Sequence, residues 1–146
     1  MKEKRFNVRV YAIIRNTNGE ILVSDERRNG FSFTKFPGGG LEWGEGIRET
    51  VRRELSEELG IDAQIGNLIY VNDFFQVSAF HDSDQLLSFY YEVTSFEGVI
   101  ETTPHNTLLS EEGEYFRWIR MEQLSVDTMT FPIDKMVVEK LKTALL

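Results

Sequence analysis

The 146-residue chain has no cysteine, two histidines and three prolines. Without thiols it builds neither a disulfide framework nor a thiolate metal site. His81 and His105 are too few for a histidine-rich zinc site, so any metal is expected among oxygen ligands. No apolar run approaches the ~18 residues of a membrane span. The longest near the start, Val10–Ile14, is bracketed by Arg9 and Arg15, which also spoils a signal-peptide reading. The expectation is a cytoplasmic protein with no membrane partner. Cations are the scarcer charge: 16 Lys plus Arg face 24 Asp plus Glu, for a formal net charge of −8. That balance disfavours bulk nucleic acid, whose binding takes a basic footprint. Small phosphorylated ligands remain compatible with it when cations bridge the charges.

An apolar share of 41% with 12% aromatics is enough for a packed core. The length fits a single domain over residues 1–146. Phe6, Val8, Val10, Ala12 and Ile14 alternate with other residues, which predicts a strand with one buried face. Asn16-Thr17-Asn18-Gly19 is turn chemistry, and Glu20–Ser24 resumes as a partner strand. Residues 25–30 read as a charged loop. Phe31 and Phe33 lead into Pro37-Gly38-Gly39-Gly40, expected to be irregular because proline fixes φ and glycine permits unusual angles.

Ile47, Val51, Leu55 and Leu59 recur at i+4 and mark a helix that Gly60 ends. Ile61–Phe80 and Leu86–Phe96 are strand-rich, with Asp82-Ser83-Asp84 as the turn between them. Residues 97–113 read as a long loop, Tyr115–Arg120 as a short strand, and a last amphipathic helix follows Pro132. Interspersed strands and helices predict an α/β class fold, with a mixed sheet covered by helices on two faces.

The chemistry concentrates in Gly39–Ile61. Glu54, Glu57 and Glu58 stand at i, i+3 and i+4 and are neighbours on one helix surface. Like charges so placed repel, and a divalent cation between them turns repulsion into attraction. Carboxylate oxygens suit Mg²⁺ or Mn²⁺. Arg53 can fix one carboxylate by a charge-assisted pair. A solvated acidic helix face is the plain alternative for an isolated pair of glutamates. The glycine-rich stretch running into the helix shifts the balance, because bare backbone approaches a pyrophosphate closely and a helix N-terminus favours anions. A phosphate platform beside a carboxylate cluster suggests metal-assisted attack of water on a phosphoanhydride. It is not a P-loop, since no Gly-Lys-Ser/Thr follows the glycines.

These residues resemble the Nudix (MutT-type) hydrolases, whose box is G-x5-E-x7-R-E-U-x-E-E-x-G-U, with U a bulky aliphatic. Gly39, Glu45, Arg53, Glu54, Leu55, Glu57, Glu58, Gly60 and Ile61 fill its fixed places across residues 39–61. The resemblance implies an α/β/α sandwich with a mixed sheet between helices. It implies metal ligation by Glu57 and Glu58, with Glu54 a further ligand or the base acting on water. Arg53 would orient the cluster, Glu45 would face the same site, and the Gly38 carbonyl would complete the metal shell. Gly39 and Gly40 would shape the substrate loop. The reaction would be water attack on a phosphorus of a nucleoside diphosphate linked to another group. Many members add an acid just before the Trp strand. Glu111, Glu112 and Glu114 occupy that stretch, and Glu112 is best spaced to Trp118. The alternatives are an exposed acidic loop there and, for the chain as a whole, a non-catalytic nucleotide sensor of the same fold. Members often dimerise, so a homodimer is possible.

The box leaves the substrate open. Gln76 stands where ADP-ribose hydrolases of the family carry proline, and Ser78 where dinucleoside-polyphosphate hydrolases carry tyrosine. Phe131-Pro132-Ile133-Asp134 resembles the purine-reading region of MutT, with Asp134 in place of an asparagine. A carboxylate only accepts hydrogen bonds, so the base would be read differently, unless Asp134 is simply a helix N-terminal acid. Arg27 and Arg28 are candidates for a distal phosphate or are solvated loop charges. Phe31, Phe33, Phe74, Phe75, Phe80, Tyr90 and Tyr91 are candidates for base stacking, most of them expected in the core.

Overall fold

The computed structural model describes residues 2–103 and 111–143. His105 and much of the expected 97–113 loop lie outside the described residues. The fold class is α/β with mixed sheets and flanking helices, as the sequence predicts. The chain forms two compact units, each of two segments: Met1–Ala12 with Gly38–Val99, and Ile13–Pro37 with Ile100–Leu146.

The first unit carries a four-stranded sheet in the order β4-β1-β6-β5. Its strands are β1 (Arg5–Ile14, whose last two residues belong to the second unit), β4 (Gly38–Gly40), β5 (Asp62–Val71) and β6 (Asp84–Glu97). Helix α1 (Ile47–Leu59) packs on β4 and β5. Its buried stripe is Thr50, Val51, Leu55 and Leu59. Gly46 starts the helix, and Glu49 reaches back to its N–H at 3.3 Å. Gly60 ends it at φ +66°, the left-handed conformation that costs glycine nothing.

The second unit holds β2 (Glu20–Arg28), β3 (Phe31–Lys35) and β7 (Gly113–Arg120), in the order β3-β2-β7. A 3₁₀ turn (Val126–Thr128) and helix α2 (Pro132–Thr143) follow, and α2 buries Ile133, Val137, Val138 and Leu141. Its acidic first turn and Lys140 and Lys142 in the last turn both suit the helix dipole.

Several local expectations are corrected. Asp25–Arg28 are not loop: they continue β2 between Phe31–Thr34 on one side and Gly113–Tyr115 on the other. Their charges are met sideways. Arg117 Nε donates to Asp25 Oδ2 at 2.6 Å and Thr34 Oγ1 to Asp25 Oδ1 at 2.6 Å. The turn shrinks to Asn29 and Gly30, both at positive φ, which suits the right-handed twist of a hairpin. Gly38–Gly40 is not irregular but pairs with β1, Tyr11 opposite Gly38 and Arg9 opposite Gly40. Glu114 lies in β7 and not in the preceding loop. Phe6 is 70% exposed instead of buried, because β1 starts at the surface; its far end, Ile13 and Ile14, is buried on both faces.

Candidate active site

The box residues sit together in the first unit, on β4, α1 and the stretch between them. Arg53 is their electrostatic centre. Its Nε donates to Glu45 Oε2 at 2.5 Å and its Nη2 to Glu45 Oε1 at 3.0 Å. Nη2 also donates to the Gly40 carbonyl at 3.0 Å. Nη1 donates to Glu54 Oε1 at 3.0 Å and Glu57 Oε2 at 3.2 Å. One planar cation thus ties three carboxylates and the glycine strand, the fork geometry that arginine offers and lysine does not.

Glu45 is the most constrained of the acids. Besides Arg53 it accepts from the Glu42 N–H at 3.1 Å and the Thr50 hydroxyl at 3.0 Å. Arg53 foremost, then these two donors, hold its carboxyl down at about 2. The same pairing pushes the Arg53 pKa up. Glu45 is therefore a fixed anion near neutral pH, suited to positioning Arg53 and not to exchanging a proton.

The three helix glutamates differ in exposure. The Glu54 side chain is 14% exposed and the Glu57 side chain 60%. Glu58 has a buried Oε2. Glu54 lies against the bare backbone of Gly39: a Cβ there would stand 2.3–2.4 Å from its carboxylate atoms. Gly39 is thus a cradle for the Glu54 carboxylate. Among the described residues no three acidic or histidine side chains already form a closed cation cage. The donors themselves fit a hard divalent cation: carboxylate oxygens of Glu54, Glu57 and Glu58, with the main-chain carbonyl of the buried Gly38, the residue before the Gly39 seat of Glu54.

The remaining candidates lie in the second unit. Arg27 is on β2, with Nη1 donating to Ser32 Oγ at 3.3 Å and Nε 3.5 Å from Glu112 Oε2. Arg28 holds Glu26 through Nε at 3.0 Å and Nη2 at 2.7 Å, and lies over the Phe33 ring. Glu112 accepts from the Asn29 N–H, and its side chain is 57% exposed. Glu114 takes the hydroxyl of Ser24 at 2.6 Å and the ammonium of Lys35 at 3.1 Å. Asp134 is buried in the first turn of α2. Of the aromatic candidates, Phe33, Tyr90 and Tyr91 are core, while Phe31, Phe75 and Phe80 are exposed. Two charged residues escaped the sequence reading. Lys35 is buried although charged, and Arg9, on β1, lies within electrostatic reach of Glu54 and Glu58. The i, i+2 spacing that puts Arg9 and Tyr11 on one strand face is a signal that could have found Arg9.

The chain belongs to the Nudix family: the NUDIX domain model matches residues 5–141. It is a hydrolase of phosphoanhydrides. It is 32% identical over 132 residues to the 8-oxo-dGTP diphosphatase of Escherichia coli K12, covering 89% of this chain and 92% of that one. It is 29% identical over 113 residues to Phosphatase NudJ of the same strain, covering 77% and 68%. Among solved structures it resembles a MutT from a study of the Aliivibrio salmonicida and Vibrio cholerae proteins, with a TM-score of 0.68, 27% identity and coverage of 96% and 99%. The E. coli ORF135 protein shares the fold at a TM-score of 0.73, with 24% identity and coverage of 97% and 91%.

Proposed function

We propose that the chain is a pyrophosphohydrolase dependent on Mg²⁺ or Mn²⁺. Its substrate would be a small nucleotide, a nucleoside diphosphate linked to another moiety. The observation that carries this reading is the Arg53 hub, which gathers Glu45, Glu54 and Glu57 beside the glycine strand. The relationship to the 8-oxo-dGTP diphosphatase favours a nucleoside triphosphate over a nucleotide sugar.

Glu54, Glu57, Glu58 and the Gly38 carbonyl would hold the cation, which supplies a Lewis acid for phosphoryl oxygens and countercharge for the leaving group. Arg53 keeps three carboxylates aimed without itself needing to move. Glu45 fixes Arg53. Glu54, whose Oε1 is held by Arg53 Nη1, serves as a ligand or as the acceptor of the proton from the attacking water. The bare backbone of Gly39 and Gly40 gives a phosphate close approach.

Glu112 is proposed as a further acid of the reaction in preference to Glu114. Its carboxylate is the more exposed, whereas Glu114 is engaged by Ser24 and Lys35. Arg27 and Arg28 are proposed as distal phosphate contacts and Asp134 as an acceptor for base N–H groups. Asp134→Asn, which adds a donor, would then change the order of preference among purine triphosphates. A cytoplasmic setting and a single hydrolase domain belong to the same reading. So does a homodimer, which sedimentation equilibrium tests.

The deciding experiment is a phosphate-release screen with Mg²⁺ and separately Mn²⁺. It covers nucleoside triphosphates, oxidised nucleotides, nucleotide sugars, ADP-ribose and dinucleoside polyphosphates. One strongly preferred compound is expected. Glu57→Gln and Glu58→Gln are expected to cut its turnover by roughly a hundredfold or more while the fold survives, because a metal ligand is lost and helix repulsion relieved. Unchanged turnover in both variants would remove the metal assignment.

A further inference from the structure

The chemistry described above gives no task to Arg9, a part-buried cation of the first unit. Arg9 projects from β1 on the same face as Tyr11, two residues on. Arg9 is half-buried, and its Nε donates to Tyr11 Oη at 3.4 Å. Among the described residues this is its single hydrogen bond, so the Nη1 and Nη2 donors are unspent. Burial opposes its charge, but Tyr11, Glu54 and Glu58 more than offset that, and the group stays cationic.

Its placement is built by several parts. Tyr11 stacks on Tyr90 at 5.0 Å between ring centroids, and Tyr90 is 1% exposed. Tyr90 therefore anchors Tyr11, and Tyr11 orients Arg9. The strand opposite is cleared for the pair. Gly38 faces Tyr11, and a Cβ there would stand 2.9 Å from Tyr11 Cδ1. Gly40 faces Arg9, and a Cβ there would stand 3.1 Å from Arg9 Nη1. The carbonyl of Gly40 is held from the other direction by Arg53 Nη2 at 3.0 Å.

We propose that Arg9 is a substrate-binding residue whose terminal guanidinium nitrogens grip non-bridging oxygens of the phosphoanhydride beside Glu54 and Glu58. The proposal rests on the hydrolase reading above and adds a contact to it. A guanidinium with unspent donors in a half-buried setting is a strong anion receptor, because its two parallel N–H groups match a phosphate and little water competes. A counterion serving only Glu54 and Glu58 would spend those donors on their carboxylates. Arg9 does not.

The test uses imidodiphosphate with Mg²⁺, a pyrophosphate analogue whose P–N–P bridge resists hydrolysis, titrated calorimetrically into the whole protein. Arg9→Gln is expected to weaken its binding by about tenfold or more, the worth of a charge-assisted hydrogen bond. Arg9→Lys restores the charge without the fork and should fall between. Tyr11→Phe, which frees the guanidinium from its guide, should weaken binding by a smaller factor. Mn²⁺ binding without phosphate, read by electron paramagnetic resonance, should be unchanged or tighter in Arg9→Gln. Imidodiphosphate affinity within twofold of wild type in both Arg9→Gln and Arg9→Lys overturns the proposal. If Mn²⁺ binding tightens as well in that case, Arg9 is only a countercharge. Normal turnover by the wild-type protein in that same result would leave the hydrolase reading standing. A wild-type protein that neither binds the analogue nor hydrolyses any nucleotide sinks both.

Discussion

Arg53 grips Glu45 through two parallel hydrogen bonds, Nε to Oε2 and Nη2 to Oε1, across eight residues of chain. The pair spans the glycine-rich entry and the body of α1, so it sets where the acidic helix face stands against β4. Lysine keeps the charge but cannot make the fork. Arg53→Lys is therefore expected to lower kcat by roughly a hundredfold, the cost of a misplaced reacting group. Circular dichroism should still show the folded helix. A kcat within a factor of a few of wild type would mean that the hub does not position the acids.

Acid should act on the same pair. The folded protein holds Glu45 at about 2 against an ordinary value of 4.5. A depressed carboxyl adds stability that is present above the unfolded value and lost as pH falls through the folded one. Asp84 is also lowered, first by its hydrogen bond from Arg5, then by the Arg5 charge and the Asn7 amide. Stability should therefore be flat above about pH 5 and decline between 4.5 and about 2. Glu45→Gln should flatten part of that decline in urea titrations run at each pH. An unaltered slope in the variant would show that Glu45 is not the titrating group.

Charge buried in the second unit makes a prediction about stability alone. Lys35 is 6% exposed, and its ammonium lies 3.1 Å from Glu114 Oε2 and 3.4 Å from the Phe36 carbonyl. Removing one partner of such a pair leaves a poorly compensated ion, at a cost of about 3 kcal/mol. Glu114→Ala should show that loss in chemical unfolding. Lys35→Met combined with Glu114→Leu should recover much of it. Equal losses for the single and double variants would locate the effect in packing and not in charge.

The helix and its acids were legible because their signals are local. An i+4 stripe, a terminal Gly60 and glutamates one turn apart are all fixed within Ile47–Gly60, and the structure keeps each of them. Asp25–Arg28 were not legible. Charges in a strand look like a loop until their partners are in place: Asp25 is met by Thr34 across the hairpin and by Arg117 from ninety-two residues further along the chain. Gly38–Gly40 misled for a related reason. Three glycines signal freedom, yet here their bareness serves close strand pairing. The Glu54 cradle, the Lys35–Glu114 pair and the clearance for Arg9 all depend on contacts between residues far apart in sequence.

Those three glycines should respond differently to alanine, and the order discriminates their tasks. At Gly38 a Cβ would meet the Val10 carbonyl oxygen at 2.0 Å, main chain against main chain, with φ at +157°. Nothing there can swing aside, so Gly38→Ala should lose the β1–β4 pairing and with it much of the thermal stability. At Gly39 the obstacle is the Glu54 carboxylate at 2.3–2.4 Å, the end of a side chain. It can rotate away, so Gly39→Ala should keep most of its stability while displacing the carboxylate proposed above as ligand or proton acceptor, and should lose roughly a hundredfold in kcat. At Gly40 the neighbour is Arg9 Nη1 at 3.1 Å, a flexible tip that needs to yield by only tenths of an ångström. Gly40→Ala should therefore be the mildest of the three, with its effect on KM and not on kcat. Thermal unfolding and steady-state kinetics on the three variants give the order directly. A Gly39→Ala protein that unfolds as early as Gly38→Ala, or that keeps full kcat, would mean that Gly39 does not serve as the seat of Glu54.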